Sequence, residues 1–277
     1  MTAAGRSVVV TGAAGGLGAA TVRRLAAGGW RVFAADMDSG ALAGLASPAV
    51  TPVVVDVTDS ASVAGLRAAV EESVARLDAL VTFAGVVGVG PLVEIADDDF
   101  RRVLDVNVLG SYLAVRHLFP LLHVARGRIV LMSSETGWQT AMPFNGPYAV
   151  SKHAVEALGD SLRRELSLLD MSVVKIQPGA FRTGMVASLM DRFERLADES
   201  SHYRRVLLAA RKRIPQEERR AGDPADLAAL VERVLTTERP RPSYRINTNP
   251  RSAALDALPE RLVDRLLRAG LRRAAGG

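Results

Sequence analysis

The chain predicts an α/β fold: a doubly wound parallel sheet with helices on both faces, in a single domain with a C-terminal helical extension. Three observations carry that reading. Short apolar runs rich in β-branched residues alternate with longer stretches of helical periodicity, the order that builds a parallel sheet through crossover helices. The runs are apolar at nearly every position, as strands covered on both faces must be. The first run, RSVVVT (6–11), passes directly into a glycine-rich turn that opens a helix.

Taken in order, the first run is followed by a helical stretch near 17–28, then by the runs WRVFAAD (30–36) and VTPVVVD (50–56). A helix near 59–77 leads to ALVTFAG (79–85), and one near 97–119 leads to GRIVLMSS (127–134). The stretch 148–170 carries Val155, Leu158, Leu162 and Leu166 at helical spacing and precedes SVVKIQP (172–178). After Pro178 the rhythm changes. Residues 183–220 read as a helical, charged and loop-rich segment, 223–238 as a further helix, and SYRINT (243–248) as a last strand. Residues 1–250 therefore form one domain with a variable segment at about 183–220, and 251–277 form the helical extension.

Composition narrows the function classes. With 277 residues, 48% of them hydrophobic, the chain has enough material for one large core. It has no continuous apolar run of transmembrane length. Its start reads as a first strand rather than a signal peptide, so the cytoplasm is the expected location. Zero cysteines exclude disulfides, a thiolate zinc site and a thiol nucleophile. Four scattered histidines (His117, His123, His153, His202) give no metal site. The net charge of +5 rests on arginine, since lysine occurs only at Lys152, Lys175 and Lys212. The densest cluster, between Arg204 and Arg220, is interleaved with acids and reads as a solvated face; no aromatic-interleaved basic motif points to nucleic acid.

The glycine turn carries the first chemistry. Thr11-Gly12-Ala13-Ala14-Gly15-Gly16-Leu17-Gly18 lets the backbone turn tightly and approach a pyrophosphate, with the following helix directing its N-terminal amides at the same anion. The second strand ends at Asp36, where a carboxylate can accept hydrogen bonds from an adenosine ribose or cap the next turn. A 2′-phosphate within about 4 Å of that carboxylate would meet repulsion of roughly 4 kcal/mol per charge pair at an effective dielectric of 20. No Arg or Lys stands in the turn or at 37–40. NAD is expected over NADP, with NADP possible.

The second chemistry lies in PYAVSKHAVEAL, where Tyr148 and Lys152 are four residues apart and share a helix face, and in Ser134, 14 residues upstream of the tyrosine. A phenol with a pKa of about 10 needs about 4 kcal/mol of phenolate stabilisation to titrate near neutrality, which a neighbouring ammonium can supply. Ser134 can orient a substrate oxygen.

With these motifs in their order, the chain resembles the short-chain dehydrogenase/reductase family, a Rossmann-like fold, over about residues 5–185. The TGxxxGxG pattern is Thr11–Gly18, with Gly12, Gly16, Leu17 and Gly18 as cofactor contacts, and the acid after the second strand is Asp36. Asp56-Val57 match the pair bordering the adenine, and Ala84-Gly85 the close approach after the fourth strand. Asn107 matches the asparagine that holds a water against the lysine, Ser134 the substrate-orienting serine, and Tyr148 and Lys152 the YxxxK signature. Pro178-Gly179 and Thr183 match the nicotinamide contact. One departure stands out: Thr82-Phe83 replace the usual Asn-Asn, which puts the detailed ribose contacts in question.

The resemblance implies hydride transfer between a nicotinamide and a secondary alcohol or ketone, with Asn107, Ser134, Tyr148 and Lys152 as catalytic residues. It also implies a homodimer or homotetramer paired through 97–119 and 148–170. The wording MPFNGPYAVSK and the extended tail look like the hydroxysteroid and retinol dehydrogenase branch. Apolar residues beside the centre fit a lipophilic substrate, or equally core packing: Trp138, Met142, Phe144, Phe181 and Met185, with Pro147, Val186 and Leu189. The alternatives are an NADPH-dependent ketoreductase of a fatty-acid or polyketide-like pathway, and a catalytically silent dinucleotide-binding sensor. In the tail, Leu255, Leu258, Leu262, Leu266 and Leu267 form a stripe with Arg261, Arg265, Arg268, Arg272 and Arg273 nearby. Such a stripe can lie on an anionic membrane, though packing on its own fold or on a partner subunit is the expected use.

Overall fold

The structure, a computed structural model, describes residues 5–183, 185–200, 202–212 and 219–276, without the side chains of 185–188 and 251. Seven strands form one sheet in the order β3-β2-β1-β4-β5-β6-β7: β1 (Ser7–Thr11), β2 (Arg31–Asp36), β3 (Val50–Val54), β4 (Ala79–Thr82), β5 (Arg128–Met132), β6 (Ser172–Pro178) and β7 (Ser243–Ile246). Every pairing is parallel, with Thr11 level with Ala35 on one side and Thr82 on the other. The chain runs outward from β1 in both directions, so the crevice past the ends of β1 and β4 is the switch point where such sheets bind ligands.

Strand alternation divides the core in two. Val8, Val10, Val32, Ala34, Val81, Val130 and Ile176 face α1 (Gly16–Ala27) and α9 (Pro224–Thr236). Val9, Phe33, Leu80, Ile129 and Leu131 face α3 (Ser60–Glu71), α5 (Gly110–Ala125) and α6 (Gly146–Ser167). The doubly wound sheet is thus as the sequence indicates. A short α2 (Ser39–Ala43), capped by Asp38, was not anticipated.

The stretch expected as one helix over 97–119 is α4 (Asp97–Leu104), a π-helical turn (Asp105–Leu109) and α5, which continues past Pro120 to Ala125. By length and composition Asp97–Ala125 is apolar enough to cross a membrane. Leu113, Leu118, Leu121 and Leu122 are instead buried against the sheet. The variable segment holds α7 (Met185–Glu199) and α8 (Arg204–Arg211), which form a small separate core with Val89, Phe193, Ala197 and Leu207. Arg204 pairs with Asp198 and Arg211 with Glu194, the solvated arrangement expected of that cluster.

After β7 come α10 (Pro250–Leu255) and α11 (Glu260–Ala274). The segment is fastened at two points to the loop after β5. The Asn249 backbone N–H donates to Glu135 Oε2 at 2.6 Å, and Thr140 donates to Asp256 Oδ1 from both its backbone N–H and its hydroxyl at 2.6 Å.

Candidate active site

A groove with two lobes, of about 580 and 590 Å³, runs across the switch point. Gly12, Gly15, Phe83, Gly85 and Val86 border both lobes. One lobe adds Asp36, Asp56, Val57 and Ala84; the other adds Gly16, Leu17, Gly18, Ser134, Tyr148, Lys152, Pro178, Gly179, Phe181 and Thr183.

The glycine turn is shaped first by its own packing. Gly12 has φ +68°, and a Cβ there would stand 2.3 Å from Ala84 N; a Cβ on Gly18 would stand 2.1 Å from Gly12 O. Gly16 is closed off by Thr183, whose Cγ2 would lie 2.9 Å from its Cβ. Gly15, absent from the residues expected to contact a cofactor, borders both lobes and caps α1 without a side-chain hydrogen bond. The first amides of α1 are left for an anion at that point. A dinucleotide fits this groove: its pyrophosphate would lie at Gly15, its adenosine towards Asp36, Asp56 and Val57, and its nicotinamide towards Lys152 and Thr183.

Asp36 is a brace as well as a wall of the groove. Its Oδ2 accepts from Ala14 N at 3.0 Å and its Oδ1 from Asp38 N at 3.1 Å, tying the glycine turn to the end of β2. Asp56 Oδ1 likewise accepts from the Thr58 N–H and hydroxyl. Thr82 keeps a cross-strand link, its Oγ1 accepting from Met132 N at 3.4 Å, while Phe83 packs on the core and lines both lobes. Arg101 and Arg102 border the adenine lobe and had no signal in the sequence, since they belong to a helix that reaches the groove only through the fold.

In the other lobe, α6 begins with Pro147 in its first turn, so Tyr148 stands at the helix entrance and Lys152 one turn deeper. The serine loop docks on the same helix: a Cβ on Gly137 would lie 2.9 Å from Lys152 O, which explains the glycine three residues after Ser134. Asn107 points inward from the π turn. Its Oδ1 accepts from Val86 N at 2.7 Å, and its Nδ2 donates to Val86 O at 3.0 Å and to Ser151 Oγ at 2.9 Å. Both ends of its amide are therefore used to hold the β4 loop against α6.

The Lys152 ammonium is buried and donates to Met132 O at 3.0 Å, 5.6 Å from the Tyr148 ring centroid. Burial lowers its pKa to about 8, and the Glu156 carboxylate one turn on opposes that fall. The expected depression of Tyr148 is reversed. Burial pushes the phenol above its ordinary value, the Ser134 hydrogen bond pulls back, and Glu135 adds to the rise. The reason is geometric: the ammonium hydrogen-bonds a backbone carbonyl rather than the phenol, so it does not offset the cost of burying a phenolate.

The apolar residues separate. Phe181 and Leu189 line the lobe that holds Ser134, Tyr148 and Lys152. Trp138 lies instead under the Arg245 guanidinium, 3.6 Å from its ring centroid, and Met142 is partly exposed; neither borders the groove. Phe144 packs edge-on against Tyr203 in the small core of α7 and α8. The side chains of Met185 and Val186 lie outside the described residues.

Comparison with known proteins agrees with this geometry. The family model for short chain dehydrogenase matches residues 6–193. The chain is 35% identical to mouse (Mus musculus) retinol dehydrogenase 16, over 94% of this chain and 87% of that protein. It is 34% identical to human (Homo sapiens) retinol dehydrogenase 5 over the same shares. A short chain dehydrogenase/reductase from Burkholderia phymatum, solved in complex with NAD, superposes with a TM-score of 0.79 at 28% identity, covering 95% of this chain and 96% of the other. The chain belongs to the short-chain dehydrogenase family, on its retinol and hydroxysteroid dehydrogenase-like branch, and is a nicotinamide-dependent oxidoreductase acting on CH–OH groups.

Proposed function

We propose that the chain oxidises or reduces a lipophilic secondary alcohol or ketone, with Tyr148 as proton donor and acceptor and NAD as the preferred cofactor. The observation that carries this reading is the convergence of Ser134, Tyr148 and Lys152 on one lobe whose remaining walls include Val87, Met132, Phe181 and Leu189. A bound nicotinamide supplies hydride exchange. Ser134 holds the substrate oxygen by a hydrogen bond, and Tyr148, kept protonated by burial, donates its proton to that oxygen in the reductive direction. Lys152, cationic below about pH 8, stabilises the phenolate left behind and fixes a cofactor hydroxyl. Asn107 holds the Gly85–Val86 backbone against α6, which keeps Lys152 in register and supports its link to solvent. The names of the vertebrate relatives specify retinol, a lipophilic alcohol, in support of an apolar substrate.

Asp36, held by Ala14 N with its charge at the adenine lobe, supports NAD. Arg102, exposed at the same lobe, favours the second reading, an NADPH-dependent ketoreductase. Titration with NADH and NADPH separates them: NADH binding the tighter supports the role of Asp36, and a strong NADPH preference removes it. The exposed Tyr112 and Val124 on α5 and Val150 on α6 support subunit pairing through these helices. The decisive test of the chemistry is Tyr148→Phe, assayed on a panel of retinaldehyde, steroid ketones and small cyclic ketones. Cofactor binding is retained and turnover abolished; normal turnover would remove Tyr148 from the mechanism.

A further inference from the structure

The C-terminal helix α11 uses only part of its apolar surface within the fold. Val263 is buried, and Leu267 and Leu271, one and two turns on, are half-buried; α11 packs on α8. Leu262 and Leu266 are 40% and 49% exposed. At about 100° per residue they fall on one flank of the buried stripe, whereas of the two acids of the helix Asp264 falls on the other flank and Glu260 in line with the stripe at its N-terminal end. Arg261, Arg265, Arg268 and Arg272 occupy the outer face, and Arg273 extends the leucine flank. None of these five arginines forms an ion pair among the described residues.

We propose that this flank of α11 docks the enzyme on an anionic bilayer surface, with Leu262 and Leu266 in the headgroup–acyl boundary and the arginines on the lipid phosphates. Charge decides among the possible occupants. Five arginines against two acids, with the acids turned away from the exposed leucines, complement a dense layer of negative charge. A second copy of this chain would bring the same arginines together across a twofold contact. The position suits lipid too: α11 packs on α8, α8 on α7, and Leu189 of α7 lines the catalytic lobe, so docking would set the apolar end of the groove near the bilayer.

The test is sedimentation of the full chain with vesicles of phosphatidylcholine alone or with about 30 mol% phosphatidylglycerol, at two salt concentrations. Wild type is expected to pellet with the anionic vesicles, less so at high salt, and to stay in solution with phosphatidylcholine. Neutralising Arg265 and Arg268 as glutamines weakens the partition about 30-fold, about fivefold for each charge. Leu262→Ser/Leu266→Ser abolishes it while turnover of a small water-soluble ketone is unchanged, which shows that the variant is folded. Failure of wild type to bind anionic vesicles overturns the proposal. So does binding that the leucine and arginine variants leave intact, and so does a leucine variant that only converts an oligomer to monomer.

Discussion

Two lysines are buried where α6 meets the sheet, Lys152 on the helix and Lys175 on β6, and the fold treats them in opposite ways. Lys175, on β6, meets Glu156 Oε2 at 2.7 Å and Asp160 Oδ1 at 2.9 Å. Burial alone would lower its pKa, but the two carboxylates outweigh that and raise it. Lys152 has a carbonyl where Lys175 has carboxylates, and burial brings it down to about 8. Glu156 stands between them, bonded to Lys175 and to Gln177 and felt by Lys152 through space. The same residue type is thus neutralised by carboxylates against the sheet and held by a carbonyl alone at the groove.

The contrast can be broken from either side. Lys152→Met is expected to lower kcat by about 10²–10⁴-fold, the usual range for loss of an acid–base system. It should leave stability at pH 7 unchanged or higher, since an unpaired buried ammonium is removed; a large loss of Tm would show that Lys152 is structural. Lys175→Met should do the reverse. It leaves two carboxylates facing a vacated site, costing about 3 kcal/mol of stability by urea unfolding, with kcat of the folded enzyme within about twofold of wild type.

Two smaller effects sharpen the comparison. The Lys152 pKa lies below its unfolded value of about 10.5, so the unfolded chain binds more protons between about pH 8 and 10.5. The penalty for burying the ammonium is therefore fully present below about pH 8 and is relieved as pH rises through that window. Lys175 contributes the opposite sign, with stability present below about pH 10.5 and lost above it. Unfolding of wild type and Lys152→Met from pH 7 to 10 isolates the first contribution. Reductive turnover should also decline as pH rises through about 8, and Glu156→Gln should move that limb to lower pH. A limb that Glu156→Gln leaves in place would assign it to another group.

The sequence made the sheet legible because a parallel strand buried on both faces leaves an apolar run, and each strand is such a run except β3 and β7. Those two lie at the sheet edges and are half exposed. The glycine turn, Ser134, Tyr148 and Lys152 were legible because they fall in short motifs whose spacing is read directly along the chain, and the fold brings them to one lobe. What the sequence could not give depends on direction and distance. Trp138 lies four residues beyond Ser134, yet a short 3₁₀ turn (Glu135–Gly137) carries it to the Arg245 side of the loop. Lys152 and Tyr148 share a helix face, but a hydrogen bond to Met132 O draws the ammonium to the sheet, and local spacing does not reveal that acceptor. The π turn around Asn107 has no composition of its own.

The fastening of the last segment to the serine loop has a consequence for how this chain can vary. Glu135 follows Ser134 directly and holds the Asn249 amide, and Asp256 holds Thr140 five residues further along the loop. A chain shortened at about residue 248 would lose more than an outlying helix, because the lost residues clasp the loop that carries Ser134. Changes in the tail can therefore shift the Ser134 loop without altering any residue that lines the groove. The shape of that wall of the groove then depends on two separated stretches, the loop after β5 and the segment after β7.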